Sequence, residues 1–256
     1  MELIVGAFQR GSSIEKEENM GTIDVKNINK NYGKKSVLTD ISFKASDEVV
    51  FLAGFNGAGK TTFLRIALGL EKADSGKIEM KSSANDSDNV EKGAVFDSST
   101  LYLQYSGIKN IKIMCMEYLK EKDRIDSILS DLSLEQGLLR KKVSQYSFGQ
   151  KHRLMLAIAL IRKPQIMFLD EPTIGLDPIS WQLIENRILK SRDEGCCFII
   201  TGQDYNAMEK ISDKILVLND TRNKFFGSVE EFMSINGKAG NLQQTFLEFV
   251  NQENQV

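Results

Sequence analysis

The apolar residues of this chain fall into short unbroken runs, separated by stretches in which they recur at helical spacing. Val49 to Ala53, Ile166 to Leu169, Cys197 to Thr201 and Ile215 to Leu218 are almost wholly apolar. Runs this short, bounded by turn residues, predict strands buried on both faces. Gly93 to Phe96 predicts another short buried strand, and Lys77 to Met80 a further one. Thr22 to Ile28 alternates polar and apolar positions, which predicts a half-buried strand; Val37 to Lys44 predicts a second, with a loop over 29–34 between them. Lys224 to Phe226 reads as a partner for Ile215 to Leu218. Helical spacing appears from Phe63 to Leu68, from Ile108 to Leu119, from Lys122 to Leu132 and from about Ile179 to Lys190. Leu154 to Ile161 is apolar all round, which predicts a deeply buried helix ended by Pro164. Val229 to Ile235 and Leu242 to Val250 predict two terminal helices. Strands alternating with helices predict an α/β fold with a largely parallel central sheet. There is no internal repeat.

Composition narrows this picture without redirecting it. A chain of 256 residues can bury a sizeable core as one domain with a subdomain. The expected division is a loose extension over 1–21, a main domain over 22–228 with a helical part at about 98–163, and C-terminal helices over 229–256. With 33 basic and 35 acidic residues the net charge is -2, so no global field calls for nucleic acid. Of the three cysteines, Cys115, Cys196 and Cys197, two are adjacent in an apolar run, so a disulfide framework is not expected and a reducing compartment fits. The run Leu154 to Ile161 is far shorter than a membrane span of ~20 residues. Glu2 stands where a signal peptide carries basic residues, and no long apolar stretch comes after it. A role at a membrane would therefore pass through a partner.

The chemistry concentrates at Gly54-Phe55-Asn56-Gly57-Ala58-Gly59-Lys60-Thr61-Thr62, which fits G-x-x-x-x-G-K-[ST] between a predicted strand and a predicted helix. Glycines there let backbone N–H groups close on phosphate oxygens, and the positive end of the helix faces the anion. Lys60 would reach the outer phosphates and Thr61 would ligate Mg²⁺. Asp170, at the carboxyl end of an apolar strand, suits a Mg²⁺ ligand, and Glu171 after it suits a base or water-orienting group. Ser147-Phe148-Gly149-Gln150 opens the buried helix 23 residues before Asp170, and Gly175-Leu176-Asp177 comes soon after Glu171.

In order and spacing these elements resemble the nucleotide-binding subunit of ABC transporters, from about Thr22 to Gly227. The resemblance implies a P-loop NTPase core with an N-terminal antiparallel β subdomain and a helical signature subdomain. It implies ATP and Mg²⁺, held by Gly54, Asn56, Gly57, Ala58, Gly59, Lys60, Thr61, Thr62 and Asp170. Tyr32 matches the aromatic that stacks on adenine, although a tyrosine there also suits plain packing. Ser147, Gly149 and Gln150 match the signature loop that meets the γ-phosphate held by the opposite subunit, and Asp177 matches the D-loop aspartate. Two ATP molecules would be buried at a homodimer or heterodimer interface whose closure drives a transmembrane permease, from the cytoplasmic face of the membrane. The segment Thr100 to Asn110 matches the region that docks the permease.

Three positions depart from the family pattern. Asp97 stands at the Q-loop glutamine, an acid that could still ligate Mg²⁺ and that resembles bacteriocin and lantibiotic immunity cassettes. Phe148 replaces the first glycine of the signature pair. Gln203 stands at the switch histidine; the only histidine, His152, is expected to be a solvated helix residue. Gln203 can donate an amide N–H but cannot take a charge near neutral pH. With Glu171, Gln203 and Lys60 as the catalytic set, three readings are open: a transport ATPase, exporting peptide, antimicrobial or lipid; an ATP-binding, hydrolysis-poor cassette paired with a competent one; or an ABC ATPase acting on ribosomes or DNA. The balanced charge and the single cassette argue against the last. Met114-Cys115-Met116 reads as packing, not a metal site.

Overall fold

β3 (Val49–Ala53) lies near the centre of a six-stranded sheet, with β6 (Ile166–Leu169), β7 (Cys197–Thr201) and β8 (Lys214–Asn219) around it. The computed structural model describes residues 20–82, 90–96, 100–116, 120–235 and 240–253. With β5 (Lys92–Val95) and β9 (Arg222–Ser228) at the edges, the strand order is β5-β6-β7-β3-β8-β9. Every pairing is parallel except β8 with β9. The unbroken apolar runs have a direct cause, since successive side chains enter two different cores. Phe51, Met167, Leu169, Phe198, Ile200 and Val217 face one core, which the helices cover. Val50, Leu52, Phe168, Ile199 and Leu216 face the other. A strand covered on both faces cannot spare a polar position.

The second core is closed by a three-stranded antiparallel sheet, β1 (Gly21–Tyr32), β2 (Lys35–Ser46) and β4 (Ser75–Ser82), in the order β2-β1-β4. The expected loop over 29–34 is mostly strand: β1 runs on to Tyr32, and only Gly33 and Lys34 turn before β2. Gly33 has φ +60°, the left-handed backbone that a two-residue hairpin turn requires. Helix α1 (Lys60–Ala67) is inserted between the sheets, burying Phe63 and Leu64 completely.

The first core is built on α2 (Gly107–Met114), α3 (Lys122–Asp131), the short α4 (Gln136–Leu139), α5 (Phe148–Ile161) and α6 (Pro178–Asp193). All of Leu154 to Ile161 is buried, as the apolar run predicts. Arg187 on α6, 4% exposed, ties α6 to α3 through Asp131 at 2.8 Å and to Glu194 at 2.6 Å. Among the described residues the further α-helices are α7 (Tyr205–Ile211), α8 (Val229–Ser234) and α9 (Leu242–Glu253). Neither α4 nor α7 shows as a periodic stretch: the first is one turn long, and the second is started by a local cap, Asp204 accepting from the Ala207 N–H at 3.0 Å. Among the described residues no helix is long and apolar enough to cross a membrane.

Candidate functional site

The register of the large sheet brings the candidate residues together. β7 lies between β6 and β3, with Leu169 opposite Ile200 and Leu52 opposite Thr201. The carboxyl ends of three strands are thus level, and the segments leaving them share one crevice, the usual place for a ligand in an open α/β sheet.

The loop after β3 has the form of an anion cradle. Gly57 and Gly59 have φ +82° and +96°. A Cβ on Gly59 would lie 2.8 Å from both Leu38 Cδ2 and the Val37 carbonyl, so the loop is pressed against β2 and no other residue fits there. Lys60 begins α1 and folds back over the loop, donating to the Gly54 carbonyl at 2.7 Å and the Phe55 carbonyl at 3.2 Å. The residue is 7% exposed. Burial pulls its ammonium below the usual lysine value, and the carboxylates of Glu171 and Asp170 oppose that shift. Among the described residues the ammonium hydrogen-bonds two neutral carbonyls and no carboxylate directly, and a phosphate oxygen is a charged partner it suits.

Thr61 Oγ1 donates to Asp170 Oδ2 at 3.0 Å. A hydroxyl and a carboxylate so placed are hard oxygen donors of the kind Mg²⁺ takes, and they fit that ion. Thr201, which is fully buried, donates to Asp170 Oδ1 at 2.6 Å and accepts the Glu171 N–H at 3.0 Å. Glu171 has φ +52°, a left-handed backbone unusual for a glutamate. Its Oε2 is buried without a hydrogen-bond partner among the described residues, while its Oε1 accepts from Gln203 Nε2 at 3.3 Å. Gln203 Nε2 also donates to Asn56 Oδ1 at 3.0 Å, so a single amide links the loop to the glutamate. Glu171 and Gln203 line a cavity of about 440 Å³.

A second cluster lies where α5 meets α6. Ser147 caps α5, accepting from the Gln150 N–H at 3.2 Å, and Gln150 Oε1 accepts from the Ser147 N–H at 2.9 Å. Gly149 is pressed on the cap of α6: a Cβ there would lie 2.5 Å from Ser180 Oγ. Asp177 is that cap, accepting from the Ser180 N–H at 2.8 Å and its hydroxyl at 2.7 Å. Those two bonds hold its carboxyl below the usual aspartate range. Phe148 is accommodated by leaving the loop: the residue is 43% exposed and its ring covers Gly175. The expectation of a solvated His152 is wrong. His152 is 5% exposed, with its ring centroid 4.3 Å from that of Phe148. The helix turns one face to the core and the Phe148 ring covers the position from outside.

Tyr32 ends β1 on the same sheet that supports Gly59. It is half exposed, with its hydroxyl on Glu71 at 2.5 Å and the Lys30 ammonium 5.2 Å from its ring. Asp97 lies outside the described residues. Thr62 comes after Thr61 on α1 and is the less exposed of the two, and Ala58 packs toward the second core. Sequence reasoning missed Thr201, although a threonine ending a wholly apolar strand is a signal in itself. It also missed Tyr205, 8% exposed, on the first turn of α7 behind the loop; burial pushes its phenol above the usual range.

Comparison with known proteins shows the family. The ABC transporter family model matches residues 38–174. A lantibiotic transport ATP-binding protein of Streptococcus pyogenes is 31% identical over 195 residues, 75% of this chain and 85% of that protein. A zinc import ATP-binding protein of Hydrogenovibrio crunogenus is 33% identical over 203 residues, 77% of this chain and 78% of that protein. Among solved structures, one described as the ATP-binding subunit of an ABC transporter superposes with TM-score 0.77 at 22% identity, over 88% of this chain and 98% of that one. The chain belongs to the ABC transporter family, as an ATP-binding subunit.

Proposed function

We propose that this subunit hydrolyses ATP with Glu171 as the base and powers a separate membrane permease that exports a peptide, antimicrobial or lipid. The single observation that carries the hydrolytic reading is the Gln203 amide, within 3.3 Å of Glu171 Oε1 and 3.0 Å of Asn56 Oδ1. It occupies the place of the family's switch histidine and holds the glutamate against the loop. The backbone of Gly57, Ala58 and Gly59 and the N-terminus of α1 bind the phosphates, with Gly54, Asn56 and Thr62 shaping the loop and Tyr32 receiving the base. Thr61 and Asp170 would hold Mg²⁺, together with Asp97, which lies outside the described residues, and the ion would supply positive charge against the phosphates. Lys60 exchanges its two carbonyls for phosphate oxygens. Glu171 Oε2, without a partner among the described residues, is the oxygen that accepts the proton of the attacking water.

Ser147, Gly149 and Gln150 serve the opposite subunit's ATP, and Asp177 links the two sites. What supports a head-to-tail dimer is the apolar rim beside them: Phe148, Ile174 and Ile179 are 43%, 49% and 73% exposed. Tyr102 and Leu103, also exposed, are held on α2 by Asn110, whose Oδ1 accepts the Tyr102 N–H at 2.8 Å; they suit the permease contact, at the cytoplasmic face of the membrane. Export of a peptide-like cargo rests on the similarity to the lantibiotic transport protein and on the acid at position 97.

A second reading, a hydrolysis-poor cassette paired with a competent one, is favoured by one fact: glutamine cannot take the charge a histidine can. Loss of one such stabilising group costs ~10²–10³ in rate. Steady-state ATP hydrolysis by the wild type, Glu171→Gln and Gln203→His decides. Slow turnover that vanishes in Glu171→Gln supports the first reading. Turnover no higher than in Glu171→Gln, gained only in Gln203→His, supports the second.

A further inference from the structure

The C-terminal helix α9 reaches the ATP site. Phe246, 1% exposed, has its ring centroid 5.4 Å from that of Phe55 in the phosphate loop and 4.8 Å from that of Tyr205 on α7. Phe55 stands with half its surface in solvent, and this is its one aromatic contact among the described residues. Tyr205 in turn packs edge-on against Phe51 of β3, the strand that leads into the loop, at 5.2 Å. The Gly54 carbonyl takes Lys60. The start of the loop therefore has the Phe55 ring resting on Phe246 on one side and, on the other, the lysine that must turn to phosphate. One turn earlier on α9, Gln243 lines the cavity of Glu171 and Gln203. The helix is anchored at its start, where Glu209 Oε2 accepts the Leu242 N–H at 2.8 Å.

We propose that Phe246 is a positioning residue for the phosphate loop: by pinning Phe55 and Tyr205 it holds the loop in its binding form, so α9 sets the affinity for ATP. The inference rests on the reading of this crevice as the ATP site. It does not involve the opposite subunit, since every contact lies within one chain. Ring pairs of this geometry contribute ~0.5–1.5 kcal/mol, which is about 2- to 10-fold in affinity if the contact is made only in the binding form.

The test is a double-mutant cycle on the full chain, titrated with a fluorescent N-methylanthraniloyl ATP and Mg²⁺. Phe246→Ala and Phe55→Ala should each weaken binding about 2- to 10-fold, and the double variant no further than the weaker single one. Phe232→Ala on α8 removes an equally buried ring that packs on Phe225 and Phe249, away from the loop. It should lower the thermal midpoint like Phe246→Ala while leaving affinity unchanged. Should Phe246→Ala fail to fold, Phe246→Leu, which keeps apolar bulk but removes the ring contact with Phe55, takes its place in the cycle. Unchanged affinity in Phe55→Ala, additive losses in the cycle, or an equal loss in Phe232→Ala overturns the proposal while the ATP site stands. Wild type that fails to bind the probe overturns both.

Discussion

Thr201 offers the sharpest test of how the catalytic end of the crevice is built. Its hydroxyl donates to Asp170 at 2.6 Å and accepts the Glu171 N–H at 3.0 Å, at a fully buried position. Thr201→Val keeps the shape and removes both bonds, leaving a buried N–H unpaired and a carboxylate short of one donor. A bond to a charged acceptor contributes ~1.5–3 kcal/mol and a neutral one ~1 kcal/mol, so the loss is about 3 kcal/mol. For a chain of this size that lowers the thermal midpoint by about 6–12 °C. The effect should reach beyond stability. Glu171 sits at φ +52°, and a strained backbone costs ~1–3 kcal/mol, persisting only where its surroundings fix it. The Thr201 oxygen is one of those fixing contacts, so the glutamate should relax and turnover fall by about 10- to 100-fold. Thr201→Ser keeps the hydroxyl and should retain turnover at slightly lower stability. Thermal unfolding without nucleotide, followed by ATP hydrolysis on the same samples, reads both quantities. A valine variant with the wild-type midpoint and wild-type turnover would falsify the argument.

Two further outcomes depend on packing alone. Gly149→Ala should separate α5 from α6, because its Cβ would lie 2.5 Å from Ser180 Oγ beside the Asp177 cap. A midpoint lowered by the equivalent of ~1–3 kcal/mol is expected, and an unchanged one would mean the contact yields freely. The cysteines should be inert in the folded protein, since burial raises the thiols of Cys115 to about 11 and Cys197 to about 12, and Cys196 also upward. Thiolate is scarce at neutral pH below those values and grows only as pH rises toward them. Ellman's reagent should thus find three thiols after denaturation and none rapidly before it; fast native labelling at pH 7 would contradict the burial.

Much of the site can be read directly along the chain. The phosphate loop is contiguous, and its chemistry depends on spacing within nine residues, flanked by a strand and a helix that periodicity reveals. The same holds for Asp170 and Glu171, whose place at a strand end is implied by the apolar run before them. The buried strands announce themselves because both faces of the large sheet are covered, so their sequences carry no alternation. Gln203 is identifiable as a departure, but its effect is not: the amide lies between Asn56 and Glu171 only because β7 is inserted between β3 and β6.

Everything that depends on long-range contact was decided by the tertiary structure. His152 shows the limit plainly. Its one-dimensional surroundings, Lys151 and Arg153, are charged, yet the orientation of the helix and the Phe148 ring bury it. Tyr32 reads as part of a loop because Asn29 to Lys34 is polar, whereas pairing with both β2 and β4 carries the strand through much of that segment. Phe246 is, along the chain, one apolar residue in a terminal helix. The sequence determined that the helix would form and bury one face; only the packing of α9 on α7 placed that face against the phosphate loop. Local chemistry is written in neighbours along the chain, whereas the partners of a side chain are set by how the sheet orders its strands and where the helices close over it.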